Sequence, residues 1–323
     1  MSVNKIVTKV DGVINKTIDF NDLKAGLSAG AHTITVEAWN GATLISTQTK
    51  NITIAGASSF EAETTAYMNA VGIVDDSTVY YSGTPQEITG AEMWSAINNY
   101  VVAMKNAAIL SKMKAIYPFI GGTAATHKWN LKNPLDTDAA FRLVFFGSST
   151  FAATGFKSNG ANGYANTKYI QNTHGILNDE SFGFYSRTNN EGLTYDMGVQ
   201  QDSLNTRSII LSRFSDLFYT SNQDNSYQTL INTNSIGFYS ASRLQSTLYR
   251  KQKGSVITDA TETSTVLATA EMFLGAANYN GAANYFSARE QAYAFMGLGL
   301  TTTEMTDHYN AVENLQISLK RNV

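Results

Sequence analysis

Residues Ser235–Gly254, SIGFYSASRLQSTLYRKQKG, hold two short strand candidates in succession, SIGFYSASR and STLYRKQKG. Further candidates come before them. AFRLVFF at 140–146 sets Phe141, Leu143 and Phe145 on one face, and SFGFYSR at 181–187 and RSIILSRF at 207–214 follow. The turn-rich stretches KSNGANGYANT at 157–167 and ANYNGAANY at 277–285 separate such runs. Many short strands divided by Gly/Asn turns predict an antiparallel sandwich or jelly roll rather than a fold of alternating strands and helices.

Outside this region the period changes. Met93, Ala96, Ile97, Tyr100, Val101 and Met104 recur three and four apart behind a Thr89/Glu92 capping box, which predicts an amphipathic helix with a buried stripe. Ser58 and Glu61 have the same capping spacing and predict a short helix from about 60 to 71, stopped at Gly72. Another short helix is expected around 107–115, ending before Pro118. At the far end Thr301 and Glu304 cap a closing helix whose stripe, Met305, Tyr309, Val312, Leu315 and Leu319, is expected to dock on the sandwich.

The first 55 residues read as short strands. In HTITVEAW at 32–39, Ile34, Val36 and Ala38 alternate with Thr33, Thr35 and Glu37, the period of a half-buried strand. Asn40-Gly41 is a hairpin signal, and the return strand lies near LISTQTKNITI at 44–54. GLSAGAHTITVEAWNG at 26–41 resembles the penultimate strand and hairpin of bacterial immunoglobulin-like domains, although about 55 residues is short for that sandwich. A reduced version, or one completed by a neighbouring subunit, is expected. Ala55–Ser59 forms a small linker after it.

Composition narrows the function classes. With 23 basic and 26 acidic residues the formal charge is −3 and no basic block stands out, which disfavours nucleic-acid binding. The basic pair Lys320 and Arg321 near the end of the chain is too short to change that. There is no cysteine, so disulfides, thiolate chemistry and cysteine-bound zinc are unavailable. No run approaches the ~18 apolar residues of a membrane span, and the N-terminus lacks the pattern of a signal peptide. A chain assembled in bacterial cytosol and released by lysis is expected.

KMKAIYPFIGGTAATHKWNLKNPLDTDAAFRL at 112–143 resembles a segment of structural proteins of phages that infect Bacteroidota, including crAss-like phages. NGANGYANT, SFGFYSR, SIGFYSASR and the ending YFSAREQAYAFMGLGLTTTEMTDHYNAVENLQISLKR match the same family in order, so the resemblance spans roughly residues 60–323. It implies a mainly-β chain with a concanavalin A-like lectin/glucanase sandwich, carried on the outer surface of the virion as a head or tail fibre or decoration protein. The domain expectation is an Ig-like attachment domain at 1–55, a helical connector at 56–119, and the sandwich with its closing helix at 120–323. Partners are expected to be other virion proteins through the N-terminal domain, the chain itself as a homotrimer, and host surface glycans.

A glucanase on this sandwich would carry two or three carboxylates at alternating positions of one strand. No such spacing exists: Asp179 and Glu180 are adjacent and face opposite ways, and Asp136 and Asp138 follow Pro134 in a loop. No enzymatic activity is therefore expected, with a bacterial lectin and a degraded glycosidase as the competing classes. His32, His127, His174 and His308 are scattered without zinc-site spacing, and neither a metal nor a cofactor is expected, although calcium held by loop carbonyls is not excluded. The candidate carbohydrate-binding residues are Asn159, Asn162 and Tyr164 in one loop and Asn278, Tyr279 and Asn280 in the other, where amides adjoin tyrosine rings. The competing reading of these asparagines is turn chemistry.

Overall fold

A computed structural model describes residues 60–81 and 87–323 fully, together with the backbone of four strands nearer the N-terminus. The chain divides into compact units at 1–60 and 61–323. In the first, Val13–Asn15, Lys5–Val10, Gly30–Asn40 and Thr43–Ile54 form an antiparallel sheet in that order. The expected strand around His32–Trp39 and its return are both present. Asn40 pairs with Thr43, so the two strands connect through residues 41 and 42. Those two residues, like Ser58 and the Ala55–Ser59 linker, lie outside the described set.

The second unit is a sandwich of antiparallel sheets with helices on one side. The eight-stranded sheet runs Val256–Thr261, Leu248–Lys253, Gly237–Gln245, Glu180–Ser186, Glu290–Gly297. The far edge of Glu290–Gly297 is shared by Gly155–Ser158, which continues to Ser149–Ala152, and by Met113–Tyr117. The nine-stranded sheet runs Gln228–Ile231, Leu217–Asp224, Thr206–Phe214, Met197–Gln201, Glu271–Leu274, Tyr164–Ile170, Val144–Phe146. A hairpin of Ala277–Tyr279 and Ala282–Asn284 joins it, pairing in parallel with Met197–Gln201.

Period-2 alternation assigns the core. Phe182, Phe184, Tyr239, Ala241, Ala294 and Met296 of the first sheet meet Met197, Val199, Ile210, Phe218 and Leu274 of the second, all buried in one cluster. Each large apolar side chain so buried contributes about 1.5–3 kcal/mol. The intervening residues of the eight-stranded sheet point the other way, against the helices. Tyr185 and Gly183 lie on that side, and a Cβ at Gly183 would come 2.6 Å from the Phe295 ring and 2.3 Å from the Tyr239 carbonyl oxygen. Glycine there lets the ring lie flat over the strand.

Three long helices complete the unit: α1 at Ala62–Val71, α2 at Gly90–Asn106 and α3 at Thr302–Ser318. The expected stop at Gly72 is present, with φ at 80°. Both expected capping boxes on α2 and α3 form, Thr89 with Glu92 and Thr301 with Glu304. The whole α2 stripe from Met93 to Met104 is buried. Helices α2 and α3 meet the sheet through a buried polar chain: the Tyr100 hydroxyl lies 2.6 Å from that of Tyr293, which is 2.8 Å from His308 Nε2. The His308 ring also sits 4.3 Å from Phe295, edge to face. Removing one cap by Thr301→Ala should lower stability by about 1 kcal/mol, read as a lower urea midpoint at unchanged slope.

Two sequence expectations need correction. Residues 107–115 are not a helix: Ala108 adopts φ 57°, a 3-10 turn spans Leu110–Lys112, and Met113–Tyr117 is a strand paired with Glu290–Gly297. Both faces of that strand are covered, so its apolar run lacks the alternation that separates strand from helix. AFRLVFF is a strand only over Val144–Phe146, because a 3-10 turn ends at Phe141 with φ 58°. The face assignment holds nonetheless, since Phe141, Leu143 and Phe145 all pack on the core.

Candidate functional site

On the nine-stranded sheet, alternation sends Arg207, Ile209 and Leu211, the partners in sequence of the core-facing Ser208 and Ile210, to the outer face. Tyr219, Gln200, Phe273 and Tyr164 share it by the same count. Tyr195, Ile209, Leu211 and Ala277 form a buried floor there, with Phe214, Tyr219 and Tyr285 packed on it. The added hairpin turns through Asn280 and Gly281, at φ 53° and 92°, the left-handed pair of a type I′ turn. That turn carries Tyr279 to within 5.7 Å of Tyr285, edge to face.

The tyrosines are tied together. The Tyr195 and Tyr227 hydroxyls are 2.5 Å apart, and the Tyr195 ring lies 4.7 Å from that of Tyr285. Burial raises the Tyr195 hydroxyl pKa. A second ring group adjoins through Phe286, which bridges Tyr195 in backbone and contacts Tyr164. There Tyr164 stacks on Phe146 at 5.0 Å and lies 4.7 Å from Phe273. Tyr227 and Phe146 remain 40% and 41% exposed, so this aromatic band is open to solvent.

Polar groups line the band. Asp202 accepts from the Tyr279 hydroxyl at 2.5 Å, Gln200 Nε2 at 2.8 Å and Asn280 Nδ2 at 3.1 Å. These bonds, that of Tyr279 foremost, hold its carboxyl below the usual range. The Arg207 guanidinium lies 4.2 Å over the Tyr227 ring and donates to Asn225 Oδ1 at 2.7 Å; Asn225 in turn donates to Asn205. Glu271, near Tyr164, accepts from Asn166 Nδ2 at 2.8 Å and pairs with Lys168 at 3.5 Å. Aromatic faces beside planar amides and a carboxylate can stack on a sugar ring and hydrogen-bond its hydroxyls.

The six residues singled out from sequence divide. Tyr164, Tyr279 and Asn280 belong to this face. Asn159 and Asn162 brace their own loop: Asn159 Oδ1 accepts from the backbone of Ala161, Asn162 and Gly163, each at 3.0 Å, and Asn162 Oδ1 accepts from Ser148 N at 3.0 Å. Asn278 is buried, donating to the Glu271 carbonyl and accepting from Gly281 N. Tyr195, Tyr219, Tyr227, Tyr285 and Arg207 were not singled out. They come from separate segments, and only the alternation of RSIILSRF points Arg207 outward.

The carboxylates singled out from sequence are engaged structurally. Asp179 accepts from Gly299 N at 2.7 Å, while Glu180 faces inward and is fully buried, accepting from Tyr169 at 3.0 Å, Gln223 at 3.2 Å and Gln171. Burial raises its carboxyl to about 7. Asp136 and Asp138 pair with Arg142 at 3.0 and 2.6 Å. Among the described residues no three His, Cys, Asp or Glu side chains gather as metal ligands, and no helix is long and apolar enough to cross a membrane.

No protein-family model and no curated protein matches the chain. Among solved structures it is similar to domain 4 of AbnA, a GH43 extracellular arabinanase from Geobacillus stearothermophilus solved with arabinotriose. The identity is 14% and the TM-score 0.42, covering 61% of this chain and 98% of that one. A mutant Trypanosoma rangeli sialidase displaying trans-sialidase activity matches at 7% identity and TM-score 0.41, over 91% of this chain and 44% of the other. A mutant NanB sialidase from Streptococcus pneumoniae matches at 11% and 0.31, over 40% and 23%. Likenesses this distant assign neither substrate nor activity to this chain.

Proposed function

We propose that this chain is a non-catalytic glycan-binding protein that presents the aromatic face of its sandwich outward from a phage particle. The observation that carries the binding reading is the open band of tyrosines edged by Gln200, Asp202, Asn280 and Arg207. The non-catalytic reading rests on the state of the carboxylates. A glycosidase acid needs a raised pKa and access to the glycosidic oxygen. At the aromatic face Asp202 is reachable but held ionised, and Glu180 behind it has the raised pKa but is sealed between the sheets. Virion display rests on the sequence resemblance over roughly residues 60–323, with 1–55 as the attachment domain and the homotrimer as the working assembly.

The test is a glycan array followed by calorimetry on the hits. Wild-type chain should bind oligosaccharides without releasing reducing ends, and Tyr227→Ala should weaken binding about tenfold, the equivalent of about 1.4 kcal/mol. An empty array, or affinity unchanged in Tyr227→Ala and Tyr279→Ala, would refute the binding site. Release of reducing ends that disappears in Asp202→Asn would refute the non-catalytic reading. Immunogold labelling of purified particles tests the virion assignment.

A further inference from the structure

The chain has eight arginines, all in the described part, and seven have their charge accounted for. Arg142, Arg187, Arg213, Arg243, Arg250 and Arg289 each lie within ion-pair distance of a carboxylate. Arg321 is enclosed by oxygens, accepting groups that include the carbonyls of Phe119, Ala153 and Ala292. Arg207 differs. It is stacked on Tyr227 and anchored through Nη2 to Asn225, yet it pairs with no carboxylate among the described residues, and its Nε is buried without a hydrogen-bond partner. Asp202 is close enough to feel its charge but does not bond it, being saturated by Tyr279, Gln200 and Asn280.

A guanidinium fixed against an aromatic ring keeps its planar donor fork pre-organised for a carboxylate. From this geometry we infer that the aromatic face selects glycans bearing a carboxylated sugar, with the carboxylate on Arg207 and the sugar ring on Tyr227. The hydroxyls of such a sugar then face the Asp202–Gln200 side. An acidic group turned that way would meet the Asp202 carboxylate, so the two ends of the site impose one orientation.

The inference rests on the glycan-binding reading, and the experiment separates the two. The full chain is titrated with trigalacturonate and 3′-sialyllactose, each against its carboxyl-reduced form, at low and high salt. At least one acidic probe should bind tenfold or more tighter than its reduced form, with the difference shrinking as salt rises. Arg207→Gln should abolish that preference, so that the acidic and reduced forms bind with equal affinity whatever the change in overall binding. Arg207→Lys should keep part of the preference, since it retains the charge without the fork. Equal affinity of wild type for acidic and reduced forms would overturn the inference and leave the glycan reading standing. Binding of none of the four at millimolar concentration would overturn the inference, while an empty glycan array as well would overturn the glycan reading.

Discussion

Arg321→Met should destabilise the folded chain by about 3–5 kcal/mol, because several buried carbonyls lose their donor at about 1–3 kcal/mol each. The guanidinium is 1% exposed and donates to Gln316 Oε1 at 2.8 Å and to the carbonyls of Pro118 at 2.5 Å, Ala292 at 2.7 Å, Phe119 at 2.8 Å and Ala153 at 3.1 Å. Burial pushes its pKa down to about 9, still above neutrality, so the group is a cation at working pH. Those acceptors come from the loop after Met113–Tyr117, the turn after Ser149–Ala152, the strand Glu290–Gly297 and helix α3. Methionine fills much of the volume but leaves four backbone carbonyls without a donor, each costing about 1–3 kcal/mol if water cannot enter. Arg321→Lys should fall between, because three ammonium hydrogens cannot serve five acceptors. Urea unfolding measures both, and a loss under 1 kcal/mol for Arg321→Met would show that the carbonyls find water.

Stability should peak near pH 6.5 and fall steeply below about 4.5. Burial pushes both His127 and His308 down to about 3. Unfolded, each ring takes up a proton near 6.5, so between these values the unfolded chain binds more protons. Their contribution is therefore complete above pH 6.5 and drains as pH falls toward 3, by about 1.4 kcal/mol per pH unit per ring. Glu180 runs the other way: raised to about 7 from 4.5, it stabilises fully below pH 4.5 and loses that contribution as pH rises through 7. Between 4.5 and 6.5 it offsets one of the two rings, and below 4.5 Glu180 no longer offsets either. Carboxylates held low by ion pairs, such as Asp138 beside Arg142, add to the acid loss. His127 is flanked by Phe119 and Phe151 at 5.4 and 5.8 Å, so His127→Phe should keep the packing. Combined with His308→Gln it should flatten the acid limb of a thermal-midpoint profile. Superimposable acid limbs for wild type and double variant would exclude the histidines as its origin.

The sequence made the local devices legible because each sits within a few residues. The Thr89/Glu92 and Thr301/Glu304 boxes, the Met93–Met104 stripe and the inward set Phe141, Leu143, Phe145 depend only on spacing along one element. The site was legible in part. Tyr279 and Asn280 are adjacent in a visible turn, but Tyr195, Tyr219 and Tyr227 come together only through the pairing of Met197–Gln201, Thr206–Phe214 and Leu217–Asp224. An asparagine beside a tyrosine in a turn does not disclose whether its amide faces solvent or closes its own loop, and Asn159, Asn162 and Asn278 close theirs. The role of Arg321 was not legible for a related reason. In sequence it is one of two basic residues near the end of the chain, and only the fold wraps carbonyls around it.

Helices α2 and α3 close one side of the sandwich, and the consequence is directional. If the aromatic face binds glycan as proposed, the sandwich has one adhesive side and can only lay that side against a surface, not bridge two surfaces that it lies between. Copies held side by side in a common orientation would therefore engage a repetitive surface together, each bound copy raising the local concentration of the next. Such coupling can strengthen attachment by about 10²–10⁴ over a single site without any new contact, so a weak individual affinity is compatible with firm adhesion.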